Sequence, residues 1–289
     1  MLGKFLFKLW VFLAALITIT GYVGKIAKSC TKSADKTTTV TEMPKETPVP
    51  TKAAEPTAVP EVTDSLLTLN VYGREYPIPD YSGRAYAKVN GDKPFFNDAD
   101  KKCTEPIEEY PELDPLGRCG STLANICKEL MPEDDREEIG MVRPSGWHTI
   151  KYPDLIEDRY LFNRCHLIGF QLAGENANEK NLITGTRYLN IDGMLDHENL
   201  IARYVRKTGN HVVYRVTPVF VDDELVCRGV LMEGWSVEDG GDGICFCIFA
   251  YNVQPGISID YATGDSQRET EGTYEVTPAT CSVNLLKAD

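Results

Sequence analysis

The sequence predicts an α+β fold built on a mixed or antiparallel central sheet. Three runs rich in β-branched and aromatic residues, Val212 to Phe220, Leu225 to Met232 and Ile244 to Asn252, read as strong strands. The segment Met194 to Lys207 carries Leu195, Leu200, Ile201, Tyr204 and Val205 at helical spacing. Strands and helices mix without the regular βαβ rhythm of a parallel doubly wound sheet, which leaves α+β as the class.

Residues 1–30 read as an export signal or anchor. Lys4 and Lys8 precede an apolar run from Leu9 to about Val23. No Ala-x-Ala cleavage site is clear near its end. The run reaches spanning length only when Phe5 to Phe7 are counted with it and Lys8 snorkels. A cleaved signal and an uncleaved membrane anchor both fit, the anchor slightly better. Residues 31–65 are rich in Thr, Pro, Lys, Glu and Ala, a composition that cannot bury apolar surface, and read as a flexible tether. The folded domain is placed at 66–289.

Within that domain, Leu66 to Val71 alternates as a strand, Tyr81 to Asn90 reads as a turn and strand, and Gly91-Asp92 as a turn. Gly117 to Gly120 breaks the chain before Ser121 to Leu130, which periodicity leaves open between helix and strand. Met131 to Arg136 is a polar loop, and Trp147 to Tyr152 and Tyr160 to His166 read as strands. From about Asp260 the chain looks irregular and polar.

The formal net charge of -13 argues against a protein that coats nucleic acid by bulk attraction. Between Arg143 and Arg215, however, ten Lys and Arg stand against eight Asp and Glu, so this stretch is mildly positive. The nine cysteines form no Cys-x-x-Cys and no zinc-finger spacing. Most read as small buried hydrophobes, with a bridge among Cys103, Cys119 and Cys127 left open for an exported chain.

The segment that carries chemistry is Asn163-Arg164-Cys165-His166, followed by Leu-Ile-Gly-Phe-Gln, then Asn181-Leu-Ile-Thr-Gly-Thr-Arg-Tyr-Leu-Asn190 and Glu198. An imidazole close to an arginine, with a neutral oxygen ligand downstream, is chemistry for breaking a phosphodiester. These motifs resemble those of the DNA/RNA non-specific endonucleases of the ββα-metal (His-Me finger) superfamily, nearest to secreted nucleases of Gram-positive bacteria. The resemblance runs from about Tyr81 to Tyr251. The family signature is Asp-Arg-Gly-His; here the arginine and histidine match, while Asn163 and Cys165 replace the aspartate and glycine.

The resemblance implies a ββα-metal motif and a Mg2+ ion, for which Mn2+ can substitute. His166 would be the general base, since an imidazole titrates near neutrality. Asn190 would be the direct metal ligand, suited to a hard ion that keeps most of its waters. Glu198, about two helical turns further on, would orient metal-bound water. Arg164 would stabilise phosphorane charge and Asn181 would help shape the site, with Arg143 and Arg187 as weaker phosphate contacts. The implied substrate is DNA, with RNA as a second one, and the implied location is extracellular or at the cell surface, with membrane contact through the N-terminal segment if it stays uncleaved. Two other readings remain open: a surface-tethered nucleic-acid-binding module weakened in catalysis by the Asn163 and Cys165 changes, and a cysteine hydrolase using Cys165 with His166.

Overall fold

The computed structural model describes residues 67–269, 279–283 and 285. The proposed signal or anchor (1–30) and tether (31–65) lie outside them. Among the described residues, no helix is long and apolar enough to cross a membrane.

The fold is α+β. Its centre is a six-stranded sheet in the order β3-β10-β9-β8-β5-β4. The strands are β3 (Tyr86–Lys88), β4 (Glu108–Glu109), β5 (Thr122–Ile126), β8 (Val212–Val219), β9 (Gly229–Ser236) and β10 (Cys245–Tyr251), and each adjacent pair is antiparallel. The three strands read from sequence form the sheet's middle. Their apolar runs are continuous rather than alternating because both faces are covered.

Along β9, Val230 and Met232 enter one core with Tyr214 and Val216 of β8 and Phe246, Ile248 and Ala250 of β10. That core is closed by Leu172 of the short helix α1 (Phe170–Ala173), by Ile201, Ala202 and Val205 of helix α2 (Leu195–Thr208), and by Cys165 and Ile183 from a two-stranded ribbon of β6 (Phe162–His166) and β7 (Leu182–Thr186). The intervening Leu231, with Cys247 and Phe249, faces the opposite core. There a small sheet packs: β1 (Leu67–Val71), β2 (Arg74–Ile78) and β13 (Ala279–Val283), in which β13 pairs parallel to β1. On this face Arg215 and Glu233, opposed in register, form a fully buried ion pair at 2.8 Å. Glu233 also accepts from the Phe95 amide at 2.6 Å, and the Arg215 guanidinium lies over the Phe96 ring, so the charges are satisfied within the sheet.

Several sequence expectations change. Ser121 to Leu130 resolves to the strand β5, which finds its partner in β8. Trp147 to Tyr152 is not a strand. It makes one isolated bridge, Lys151 to Tyr160, flanked only by the Tyr152 amide to the Arg159 carbonyl and the Leu161 amide to the Ile150 carbonyl, a ladder too short for a strand. Trp147, Ile150 and Tyr152 pack in a small cluster with Leu161, Phe162, Ile257 and Ile259. The region after Asp260 is not wholly irregular: Ser266–Arg268 (β12) pairs with Ile257–Ile259 (β11), and β13 follows. The eight described cysteines are all free, so Cys103, Cys119 and Cys127 form no bridge among themselves; Cys119 instead donates to the Leu182 carbonyl at 3.2 Å.

Candidate active site

Strand β6, strand β7 and the helical segment that follows bring the motif residues to one place. A π-helical turn, Leu189–Met194, runs directly into α2. Single π turns inside helices re-aim side chains. Asn190 sits on this turn rather than capping the helix, and Glu198 follows on α2. Together with Asn163, Arg164, His166 and Arg187, they line a cleft of about 840 Å3.

His166 ends β6 and is 7 % exposed. Its Nε2 lies 2.9 Å from the Asn176 carbonyl and its Nδ1 lies 3.3 Å from Arg136 Nη2. A guanidinium can only donate and a carbonyl can only accept, so the network assigns the proton to Nε2 and leaves Nδ1 as the acceptor of the Arg136 N–H. Burial lowers the imidazole's pKa to about 4 and the Arg136 charge adds to this, while the Asn176 carbonyl opposes it. His166 is therefore neutral at physiological pH.

Glu198 is 8 % exposed. Its carboxyl lies against Gly169, where a Cβ would come within 2.7 Å of a carboxylate oxygen, so the backbone approaches this closely only because residue 169 has no side chain. Burial raises its pKa to about 7, held back by Arg136 and by the Gly169 amide. A buried carboxylate with so little compensation is suited to a cation that the cleft would receive.

These two shifts oppose each other. Between about pH 4.5 and 7 the folded protein keeps a proton on Glu198 that the unfolded chain releases, so this contribution to stability is full at low pH and lost as pH rises. Between about pH 4 and 6.5 the unfolded chain binds a proton that folded His166 refuses, so that contribution is lost as pH falls. Urea unfolding in chelator should therefore show Glu198→Gln gaining on the wild type from pH 4.5 to 7. His166→Ala should gain on it as pH falls from 6.5 to 4, each by on the order of 3 kcal/mol. Curves parallel to the wild type would contradict both placements.

The other sequence candidates fall into different roles. Asn181 is fully buried and does not line the cleft. Its Oδ1 accepts from the Ile168 amide at 2.8 Å and its Nδ2 donates to the Ile168 carbonyl at 2.9 Å, which pins the chain just beyond His166. Arg164 lines the cleft, but its Nε donates to the Val142 carbonyl and its Nη2 to Gly140 at 2.7 Å, and its guanidinium stacks on Trp147 at 4.1 Å. Arg187 lines the cleft while paired with Asp158 at 3.2 Å. Arg143 is exposed and does not line the cleft, though it is near enough to Arg164 to help burial lower that residue's pKa.

Cys165 is fully buried, its thiol pushed well above its ordinary pKa by burial, and it faces Asn190 and Met194. A dry, protonated thiol turned into the core is no nucleophile, which removes the Cys165–His166 hydrolase reading.

Sequence reasoning does not single out Arg136. Its loop is held by the Glu137 amide donating to Asn176 Oδ1 at 3.0 Å, and Asn176 is the residue whose carbonyl anchors His166. Residues 98–237 match the family model for DNA/RNA non-specific endonucleases.

That segment is a DNA/RNA non-specific endonuclease domain. The endonuclease shares its fold with two solved structures of NucA from Streptococcus agalactiae. One, with a magnesium ion bound, is 22% identical with a TM-score of 0.58, over 67% of this chain and 90% of that one. The other, with no metal bound, is 24% identical with a TM-score of 0.58, over 67% of this chain and 91% of that one. The matched segment of the endonuclease contains His166, Asn190, Glu198 and Arg136. It therefore takes in the whole of the cleft's polar wall described above.

Proposed function

We propose that this endonuclease cleaves DNA, and RNA as a second substrate, by metal-assisted hydrolysis with His166 as general base. The observation that carries the reading is that His166, Asn190 and Glu198 line one cleft, with Arg136 beside the His166 Nδ1.

Among the described residues there is no group of three or more His, Cys, Asp and Glu side chains that would cage a metal. The oxygen donors that do line the cleft, the Asn190 amide and the Glu198 carboxyl, suit Mg2+, which keeps several waters and takes few protein oxygens, with Mn2+ as a substitute. Asn190 would hold the ion directly and Glu198 would accept from its waters. When bound, the ion supplies positive charge at the scissile phosphate and leaving oxygen.

The chain's own groups do the rest. His166 Nδ1 takes a proton from water, and the resulting hydroxide attacks phosphorus as the far P–O bond breaks. The Nε2–H bond to Asn176 keeps the ring from turning and stabilises the imidazolium. Arg136 faces the same lone pair. An arriving phosphate anion would draw the guanidinium to itself and so raise the basicity of His166 at the moment it is needed. Arg164 acts by holding the Gly140 to Trp147 segment in place, Asn181 by fixing the chain after His166, and Arg187 and Arg143 as peripheral phosphate contacts. Contacts to phosphate rather than to base edges account for indifference to sequence.

The residues at the two altered signature positions support catalysis over a binding-only module. Neither closes the cleft, and β7 carries glycine at 185, where a Cβ would come within 2.6 Å of Cys165 Cβ, so the larger side chain is seated without displacing His166. The N-terminal segment of residues 1–30 supports export, with the enzyme working outside the cell or held at its surface. The test is degradation of plasmid DNA and of RNA with and without EDTA. Cleavage abolished by EDTA and restored by Mg2+ is expected; binding that survives EDTA without any cleavage would favour the module instead.

A further inference from the structure

Cys165 and Asn163 both reach the amide of Asn190, one at each end. The Cys165 thiol donates to Oδ1 at 3.2 Å, and Asn190 Nδ2 donates to Asn163 Oδ1 at 3.5 Å. They are alternate residues of β6, so the pleat sends them to the same side, toward the π-helical turn that carries Asn190. The surroundings are shaped to this arrangement. Gly185 leaves the space that Cys165 fills, and Met194 Sδ lies 3.5 Å from the same sulfur.

The chemistry of the two neighbours differs in one decisive respect. A side-chain amide at 163 can turn either its oxygen or its nitrogen toward Asn190, so on its own it leaves the orientation of Asn190 undetermined. A carboxylate there would accept only, and would force Asn190 to offer its nitrogen and keep its oxygen on the other side. Here residue 163 has no such power, and the thiol at 165 supplies the missing bias: its S–H donates to the oxygen at 3.2 Å, while its sulfur would be only a weak acceptor for the amide N–H of the turned-over orientation, and the oxygen's second lone pair is left free. We propose that Cys165 is a positioning residue that, with Asn163, fixes the Asn190 amide with its oxygen presented for a divalent cation. The inference rests on the assignment of Asn190 as the metal ligand. The two departures from the signature are then one compensated change rather than two separate losses.

The experiment is Mn2+ binding to the full-length, metal-stripped protein, followed by calorimetry and by loss of the free Mn2+ electron-spin signal, so that no cleavage is read. Cys165→Ala should weaken binding by about ten-fold. In an Asn163→Asp background the same Cys165→Ala change should cost less than about two-fold, because an acceptor-only group then dictates the orientation; comparing within each background cancels the added charge. Cys165→Ser, which keeps a donor at the same place, should bind as the wild type does, and it serves as the check if Cys165→Ala loses its fold. Equal effects of Cys165→Ala in both backgrounds, or a Cys165→Ser variant as weak as Asn190→Ala, would overturn the inference while leaving the ligand assignment standing. An Asn190→Ala variant that binds Mn2+ as tightly as the wild type would overturn that assignment and this inference with it.

Discussion

His166→Ala is expected to lower the rate of plasmid DNA cleavage by about 10^3-fold or more at saturating Mg2+. General-base removal alone accounts for a factor of this size. The local geometry adds to it, since the imidazole is also what faces Arg136 at 3.3 Å and ties the site to the Asn176 loop at 2.9 Å. The loss should be one of chemistry rather than folding, because His166 ends its strand and lines the cleft. Two further readings separate these causes. Circular dichroism and urea unfolding should show a folded variant. Added imidazole, small enough to enter a cleft of about 840 Å3, should restore part of the rate. A variant that cuts within ten-fold of the wild type would remove His166 from the chemistry.

Asn190→Ala is expected to raise the Mg2+ concentration needed for half-maximal cleavage by about 10- to 100-fold and to lower the rate at saturation as well. A single neutral oxygen from the protein would leave most of a bound ion's charge uncompensated, and under the proposed mechanism that charge would act on the phosphate. Asn190→Asp separates affinity from reactivity. A carboxylate should bind the ion more tightly, yet neutralise part of its charge and slow turnover. An Asn190→Asp enzyme that is both tighter and faster would mean that the amide's neutrality has no role.

Much of this was legible in the residues. Strands β8, β9 and β10 could be read because burial on both faces demands unbroken apolar runs, and α2 because Ile201 and Val205 repeat on its buried side. His166, Asn190 and Glu198 were singled out by the resemblance of their motifs to the nuclease family, and the fold brings all three to the wall of one cleft. What could not be read depends on partners distant in sequence. Arg136 is one arginine in an exposed polar loop, and only the fold sets it opposite an imidazole thirty residues on. Arg164 is a cation that any sequence reading would offer to phosphate, yet two backbone carbonyls and the Trp147 ring engage it. Trp147 to Tyr152 has a strand-like composition but pairs with the chain entering β6 at a single bridge, and a strand exists only through its ladder. β13 is the reverse case. A short stretch in a polar tail becomes a strand because β1 offers it an edge, and Cys281 and Val283 then complete a core begun more than two hundred residues earlier. The Arg215–Glu233 pair shows the same limit, since nothing in either strand announces that two charges oppose each other in register.

The central claim is that the His166 ring and the Asn190 amide serve one cation-bearing cleft. Its most direct test is a crystal grown with Mn2+ and examined by anomalous scattering. One Mn2+ is expected at roughly 2.1 Å from Asn190 Oδ1, within the cleft lined by His166 and Glu198, with the remaining positions taken by water. A Mn2+ held elsewhere on the protein, or one that meets Asn190 while the His166 ring faces away from it, would contradict the account.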